Sequence, residues 1–170
     1  MYTAEDILIG RERRIEFQER LVERYKMPIL VIRVNYPGIN KDNHFSKEIT
    51  VIIERIISEM FSYSIQYKIM TTTAEGPLVI MSINKRARDI KALTLDIEDK
   101  HLLGRCVDID VYDEKGIGIS RKDFGLGMRK CYICDDVAHN CVRSKKHSKK
   151  EVEGFIKSKF AEYMEKFYGK

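Results

Sequence analysis

Long apolar runs are missing from this 170-residue sequence. The longest, such as 29–32 (Ile-Leu-Val-Ile) and 51–53 (Val-Ile-Ile), fall far short of the about 20 residues that a bilayer-spanning helix requires. A basic leader is missing too. Glu5 and Asp6 precede the short apolar stretch 7–9, which does not read as a signal peptide. Together these absences argue against a membrane partner and predict a cytoplasmic protein. Cysteine is scarce, at four residues, and in that compartment they are expected to be thiols or metal ligands, not disulfides. No internal repeat or low-complexity linker interrupts the chain. One domain over 1–170 is therefore expected, long enough to bury a real core.

What is present is unevenly placed. The net charge is +5, yet residues 121–150 alone hold nine Lys/Arg against three Asp. Everything outside that Cys-rich segment is close to neutral. Such a surplus is either a solvated face or a site for phosphates, an acidic partner or nucleic acid.

Thr3 is placed to cap an amphipathic helix that ends before Pro28. Residues 29–35 read as a buried strand, and 43–61 as a helix with Ile49, Ile52, Ile53, Ile56, Ile57 and Met60 at helical spacing. Stretches 64–71 and 78–83 form a hairpin turning at Glu75-Gly76-Pro77. Residues 87–98 suit a helix through Ile90, Leu93 and Ile97, or a strand through Leu93, Leu95 and Ile97. The helix is favoured because, with a strand at 105–112, it completes β-α-β-β-α-β. The expected class is thus α+β. A ferredoxin-like core gains an N-terminal helix, an added hairpin strand at 117–120 and a C-terminal helix at 151–168. That last helix carries Val152, Phe155, Ile156, Phe160, Tyr163 and Phe167 on one face.

The segment Gly104-Arg105-Cys106-Val107-Asp108-Ile109-Asp110 carries the chemistry. Strand alternation puts Asp108 and Asp110 on one face, opposite Val107, Ile109 and Val111. Two carboxylates so close are costly unless a cation sits between them, and Mg²⁺ bound with substrate phosphates supplies one. Basic residues Arg86, Arg88, Lys91, Arg105, Arg121, Lys122 and Arg129 flank the pair in sequence. By the same alternation Cys106 shares the aspartates' face unless the strand is bulged, and it reads as a packing residue. Cys131-x2-Cys134-x6-Cys141-x5-His147 offers four ligands for a structural Zn²⁺, with His139 a rival. The same cysteines also suit packing as small hydrophobes.

Taken in order, these pieces resemble a family. Arg11, Arg14 and Gln18 come first, then Pro37-Gly38 with Lys41-Asp42, Gly76-Pro77 and Ala87-Arg88-Asp89-x-Lys91. Gly104-Arg105-x-x-Asp108-x-Asp110-Val111, Ser120-Arg121-x-Asp123, Arg129-x-Cys131-x-x-Cys134 and Ala138-x-x-Cys141-x-Arg143-x3-His147 follow. The series, spanning roughly residues 10–150, resembles the apo-citrate lyase phosphoribosyl-dephospho-CoA transferases, or holo-citrate lyase acyl-carrier-protein synthases. It departs at Leu102, where the family usually has proline.

The resemblance implies a nucleotidyltransferase-type enzyme. Its donor would be 2′-(5″-triphosphoribosyl)-3′-dephospho-CoA, its acceptor a serine of the apo acyl carrier (γ) subunit of citrate lyase, and pyrophosphate would leave. It further implies Asp108 and Asp110 as Mg²⁺ ligands, with Arg105 beside them in catalysis. Arg88, Lys91, Arg121, Arg129 and Lys41 would bind donor phosphates or carrier. Asp89 and Asp123 are candidates for a third carboxylate. The competing reading is a zinc-bearing basic nucleic-acid module. It leaves the Asp pair without a use, and only Phe124 and Tyr132 stand among the basic residues for base stacking.

Overall fold

The computed structural model describes residues 2–169. Its first element, α1 (Ala4–Tyr25), opens on a capping box. Thr3 Oγ1 accepts from the Asp6 N–H at 3.1 Å, and the Asp6 carboxylate accepts from the Thr3 N–H at 2.7 Å. The helix stops where Lys26 turns left-handed (φ 52°), two residues before Pro28. Strand β1 (Ile29–Val34) follows, then α2 (His44–Met60), capped by Asn43, whose side chain accepts from the Ser46 N–H. The hairpin β2 (Ile65–Thr73) and β3 (Gly76–Ile83) leads into α3 (Ala87–Lys100). Next come β4 (Val107–Tyr112) and the two-residue β5 (Gly118–Ile119). A short α4 (Ala138–Arg143) and a long α5 (Lys149–Tyr168) close the chain.

All five strands run antiparallel in the order β2-β3-β1-β4-β5. The first four are the ferredoxin-like arrangement expected of β-α-β-β-α-β, and β5 is the added strand beside β4. On one face Leu30, Ile32, Val79, Met81, Val107, Ile109 and Val111 join α2, α3 and α5 in the main core. On the other face, α1 lays Leu21 over Ile29, Val31, Leu78 and Ile80. That cover is partial. The far ends of β1 and β4 on this face carry polar side chains instead. No described helix is long and apolar enough to cross a membrane.

Residues 87–98 are helical, because Ile90 and Ile97 reach the core while Leu93 is exposed. Phe167, expected on the buried stripe of α5, is exposed too; the burial ends at Tyr163. The strand expected from 105 begins two residues later. Gly104–Cys106 is a 3-10 turn, so alternation does not reach Cys106. Its side chain points into the main core, and burial pushes the thiol up to about 12. Arg105 likewise is not part of the strand.

Two glycines are required by close approach. A Cβ on Gly104 would stand 2.0 Å from the Ile97 carbonyl oxygen and 2.8 Å from that of Glu98. Gly104→Ala must therefore prise the turn off the end of α3. We expect a loss of about 3 kcal/mol in urea unfolding, at the upper end of overpacking costs. Gly76 (φ 90°) would place its Cβ 2.8 Å from the Lys41 oxygen, so the hairpin turn and the 37–42 loop touch backbone to backbone.

Candidate active site and metal-binding cluster

β1, the residue Asn35 just after it, and β4 bring Arg33, Asn35, Asp108 and Asp110 together, with Arg33 in register with Asp108. Asp108 Oδ1 accepts from Asn35 Nδ2 and from Arg129 Nη1, both at 2.9 Å. Asp110 Oδ2 accepts from Arg33 Nη2 at 2.7 Å. Each aspartate thus engages one oxygen and keeps the other unbonded among the described residues. Their side chains are 39% and 38% exposed, open enough for a ligand.

Behind them lies a buried ion network. Glu75, at the hairpin turn, takes Arg14 Nε at 2.8 Å and Nη2 at 3.2 Å, while Arg33 and Arg11 stand at 3.6 and 3.7 Å. Gln18 supports Arg14 at 2.7 Å. Burial works against the charge on Arg33, but Asp110, then Asp108 and Glu75, outweigh it and raise its pKa. Its Nε is buried without a partner among the described residues. Lys41 donates to the Tyr36 carbonyl at 2.7 Å; burial first, then Arg11 and Arg33, lower its pKa.

These groups border a groove of about 1400 Å³ between the start of α1, the 35–41 loop and the Cys-rich segment. Its cations are Arg11, Arg33, Lys41, Arg105, Arg121, Lys122, Arg129, Lys145 and Lys149, against only Glu75 and Asp108 as acids. Such a cavity suits a polyanion. Asp110 opens into a smaller cleft beside β5, shared with Asp108, Arg121 and Arg129.

Arg129 is the pivot. Besides Asp108 it holds the Val107 and Gly104 carbonyls at 3.0 and 3.1 Å, and Glu98 lies 3.6 Å away. Arg105 donates to the Lys130 carbonyl, and burial followed by the neighbouring Arg129 lowers its pKa. Arg121 forks onto Asp99 at 3.0 and 2.8 Å, which holds the Asp99 carboxyl below the usual range.

Two expected phosphate binders are elsewhere. The Lys91 ammonium is buried and donates to the Ile109 carbonyl at 2.7 Å. Glu98, also buried, accepts from the Ile109 N–H at 3.0 Å, and burial raises its pKa. The outer edge of β4 has no strand at that point, so the two α3 side chains satisfy both backbone groups of the residue between the aspartates. Arg88 lies over the Phe124 ring at 4.6 Å, away from the groove lining. Asp89 pairs with Arg86 and Asp123 caps Ser120, so neither joins the pair; buried Glu98 is close enough for the Asp108 charge to help raise its pKa.

Arg33 and Asn35 belong to no motif in the sequence that marks them as site residues. The available signal was their alternation, two polar side chains two apart in an otherwise apolar strand.

A second constellation lies along the groove wall. The ligand atoms of Cys131, Cys134, Cys141 and His147 all fall within 4.8 Å of one another and could hold a metal ion. The Cys134 thiol is brought down to about 6, chiefly by the Asp136 backbone N–H, while burial pushes Cys141 up to about 12. His139 is exposed and outside the cluster.

Residues 2–163 match the family model described as apo-citrate lyase phosphoribosyl-dephospho-CoA transferase. Proteins of that name from Escherichia coli O1:K1 and Shigella boydii serotype 18 are each 33% identical to it over 145 residues. The match covers 84% of this chain and 79% of each relative.

Proposed function

The chain belongs to the apo-citrate lyase phosphoribosyl-dephospho-CoA transferase family, and is therefore an enzyme of the transferase class; on that premise we propose that it transfers the 2′-(5″-phosphoribosyl)-3′-dephospho-CoA group from its triphosphoribosyl precursor to a serine of the apo acyl carrier subunit of citrate lyase, releasing pyrophosphate. We read residues 1–170 as one transferase domain working in the cytoplasm. The observation that carries this reading is the half-open Asp108/Asp110 pair, with Asp108 lining a groove ringed by nine cations and Asp110 the adjoining cleft.

The donor brings a triphosphate and the acceptor a neutral hydroxyl. The groove cations meet the phosphate oxygens through charge-assisted hydrogen bonds. Arg129 and Arg33 hold the two aspartates in place and take up part of their mutual repulsion. The free oxygens of Asp108 and Asp110 fit Mg²⁺, which characteristically takes one or two carboxylates together with substrate phosphates. When bound there, that ion would neutralise charge building on the phosphoryl group and the leaving pyrophosphate. Asp108 accepts the serine proton as attack proceeds, since its carboxylate faces the larger groove. Arg121, Arg105 and Lys41 line the same groove and complete the phosphate contacts. Lys91 supports the strand. The Cys3His cluster takes zinc in a structural role.

Incubating the purified chain with apo carrier, donor and Mg²⁺ should raise the carrier's mass by the prosthetic group, with one pyrophosphate released per carrier. A carrier of unchanged mass, under conditions where a known family member modifies it, would sink the proposal.

A further inference from the structure

We infer that Cys131, Cys134, Cys141 and His147 bind one zinc ion, and that this zinc clasp builds the Asp108 end of the groove by fixing Arg129 and Arg105 against β4.

The four donor atoms are gathered within 4.8 Å of one another, and two of their six separations are close to the edges of a zinc tetrahedron. Zinc bonds of about 2.3 Å to sulfur and 2.0–2.1 Å to nitrogen give edges of about 3.8 Å for S···S and about 3.6 Å for S···N. Cys134 Sγ lies 3.5 Å from Cys141 Sγ and 3.3 Å from His147 Nε2. Those two edges need shifts of only a few tenths of an ångström, and every other pair of donor atoms lies within 4.8 Å. Three soft thiolates and an imidazole with no open position select zinc in a structural role.

The backbone is folded for the same purpose. Lys130 and Val137 bridge, the Cys131 N–H donates to Asp136 O at 2.7 Å, and the Ala138 N–H donates to Arg129 O at 2.9 Å. This tight hairpin presents the first two cysteines together. The Ile133 N–H points at Cys131 Sγ at 3.4 Å, and that of Asp136 at Cys134. Such outer donors stabilise thiolates and orient them.

The segment also has little apolar support of its own. From 121 to 150 only Cys141 is fully buried, so no apolar core holds these thirty residues. Short segments without a core need a staple. Cys141 and His147 come from α4 and from the residue preceding the Ser148 cap, so an ion here ties the hairpin to the start of α5.

What the clasp holds is the active site. Arg129 stands two residues before Cys131, and its guanidinium bridges the Gly104 and Val107 carbonyls to Asp108. Lys130, the next residue, receives Arg105 on its carbonyl. Tyr132 stacks on Phe155 of α5 at 4.4 Å. Releasing the ion frees the hairpin, and with it the residue that bonds Asp108.

The zinc half rests on no assumption about the transferred group, and its test uses neither donor nor carrier. Elemental analysis of the purified full chain should find about one zinc per chain, and cobalt substitution should give intense thiolate charge-transfer bands. Cys134→Ser and His147→Ala should weaken zinc affinity by more than the about 10–100-fold that outer partners command, while His139→Ala keeps its ion. In hydrogen exchange, chelation should speed exchange at 129–138 and also at 104–108, with α2 unchanged and zinc restoring both. Absence of stoichiometric zinc, or its retention by Cys134→Ser, overturns the site. Zinc release that leaves 104–108 protected overturns the clasp.

Discussion

Asp108→Asn and Asp110→Asn each lower kcat for carrier modification by about 10²–10³-fold, the loss typical of removing one preorganised electrostatic group at a transition state. Asparagine has the shape of aspartate and keeps an oxygen to receive Arg129 and Asn35 at 108, or Arg33 at 110. The fold is therefore retained, and near-UV circular dichroism should match the parent. What disappears is the charge on the second oxygen, the one free to meet a metal held by donor phosphates. At position 108 Arg129 retains its two carbonyl partners, so its place survives. The measurement is kcat at saturating donor and carrier, with the apparent Mg²⁺ requirement recorded alongside. Near-normal turnover in either variant removes that aspartate from the reaction.

Glu75→Ala destabilises the protein by about 3–5 kcal/mol, the cost of breaking a buried ion pair from one side. The Glu75 side chain is 3% exposed and Arg14 only 8%, so truncation strands a guanidinium where water cannot reach it. At 170 residues this corresponds to a fall of about 10 °C or more in Tm. Exchanging both partners for apolar residues of similar size, Glu75→Leu with Arg14→Met, should cost clearly less, because no charge is left unpaired. An additive double variant would mean that the pair is not coupled. The single variant also loosens Arg33, which stands between Glu75 and Asp110, so its activity should fall further than its folded fraction accounts for.

Local periodicity made much of the fold legible. The capping residues Thr3, Asn43 and Ser148 act within three residues of their partners, so the starts of α1, α2 and α5 need no tertiary information. The side-chain alternation of β4 is equally local, and Asp108 and Asp110 do share a face. Residues 87–98 show the opposite case: their pattern permits helix or strand, and only burial of Ile90 and Ile97 against the sheet decides. Arg105 and Cys106 were misplaced for a related reason. Gly104 lets the chain pack onto the last turn of α3, and that contact, not alternation, sets the 3-10 turn.

The sequence by itself determined most of the elements, the shared face of the two aspartates and the motifs that identify the family, because each depends on neighbours along the chain. Tertiary structure alone decided which cations meet those aspartates. Arg33 and Asn35 reach them through pairing of β1 with β4, more than seventy residues apart, and Arg129 through the return of the Cys-rich hairpin. It also took Lys91 out of the expected phosphate clamp, since an edge strand's carbonyl buried under α3 must find a donor. Spacing predicted the Cys131-x2-Cys134 pair as ligands. Cys141 and His147 were candidates from the sequence too, with His139 a rival, and only distances in space decide for His147 as the fourth member of a cluster that could hold a metal.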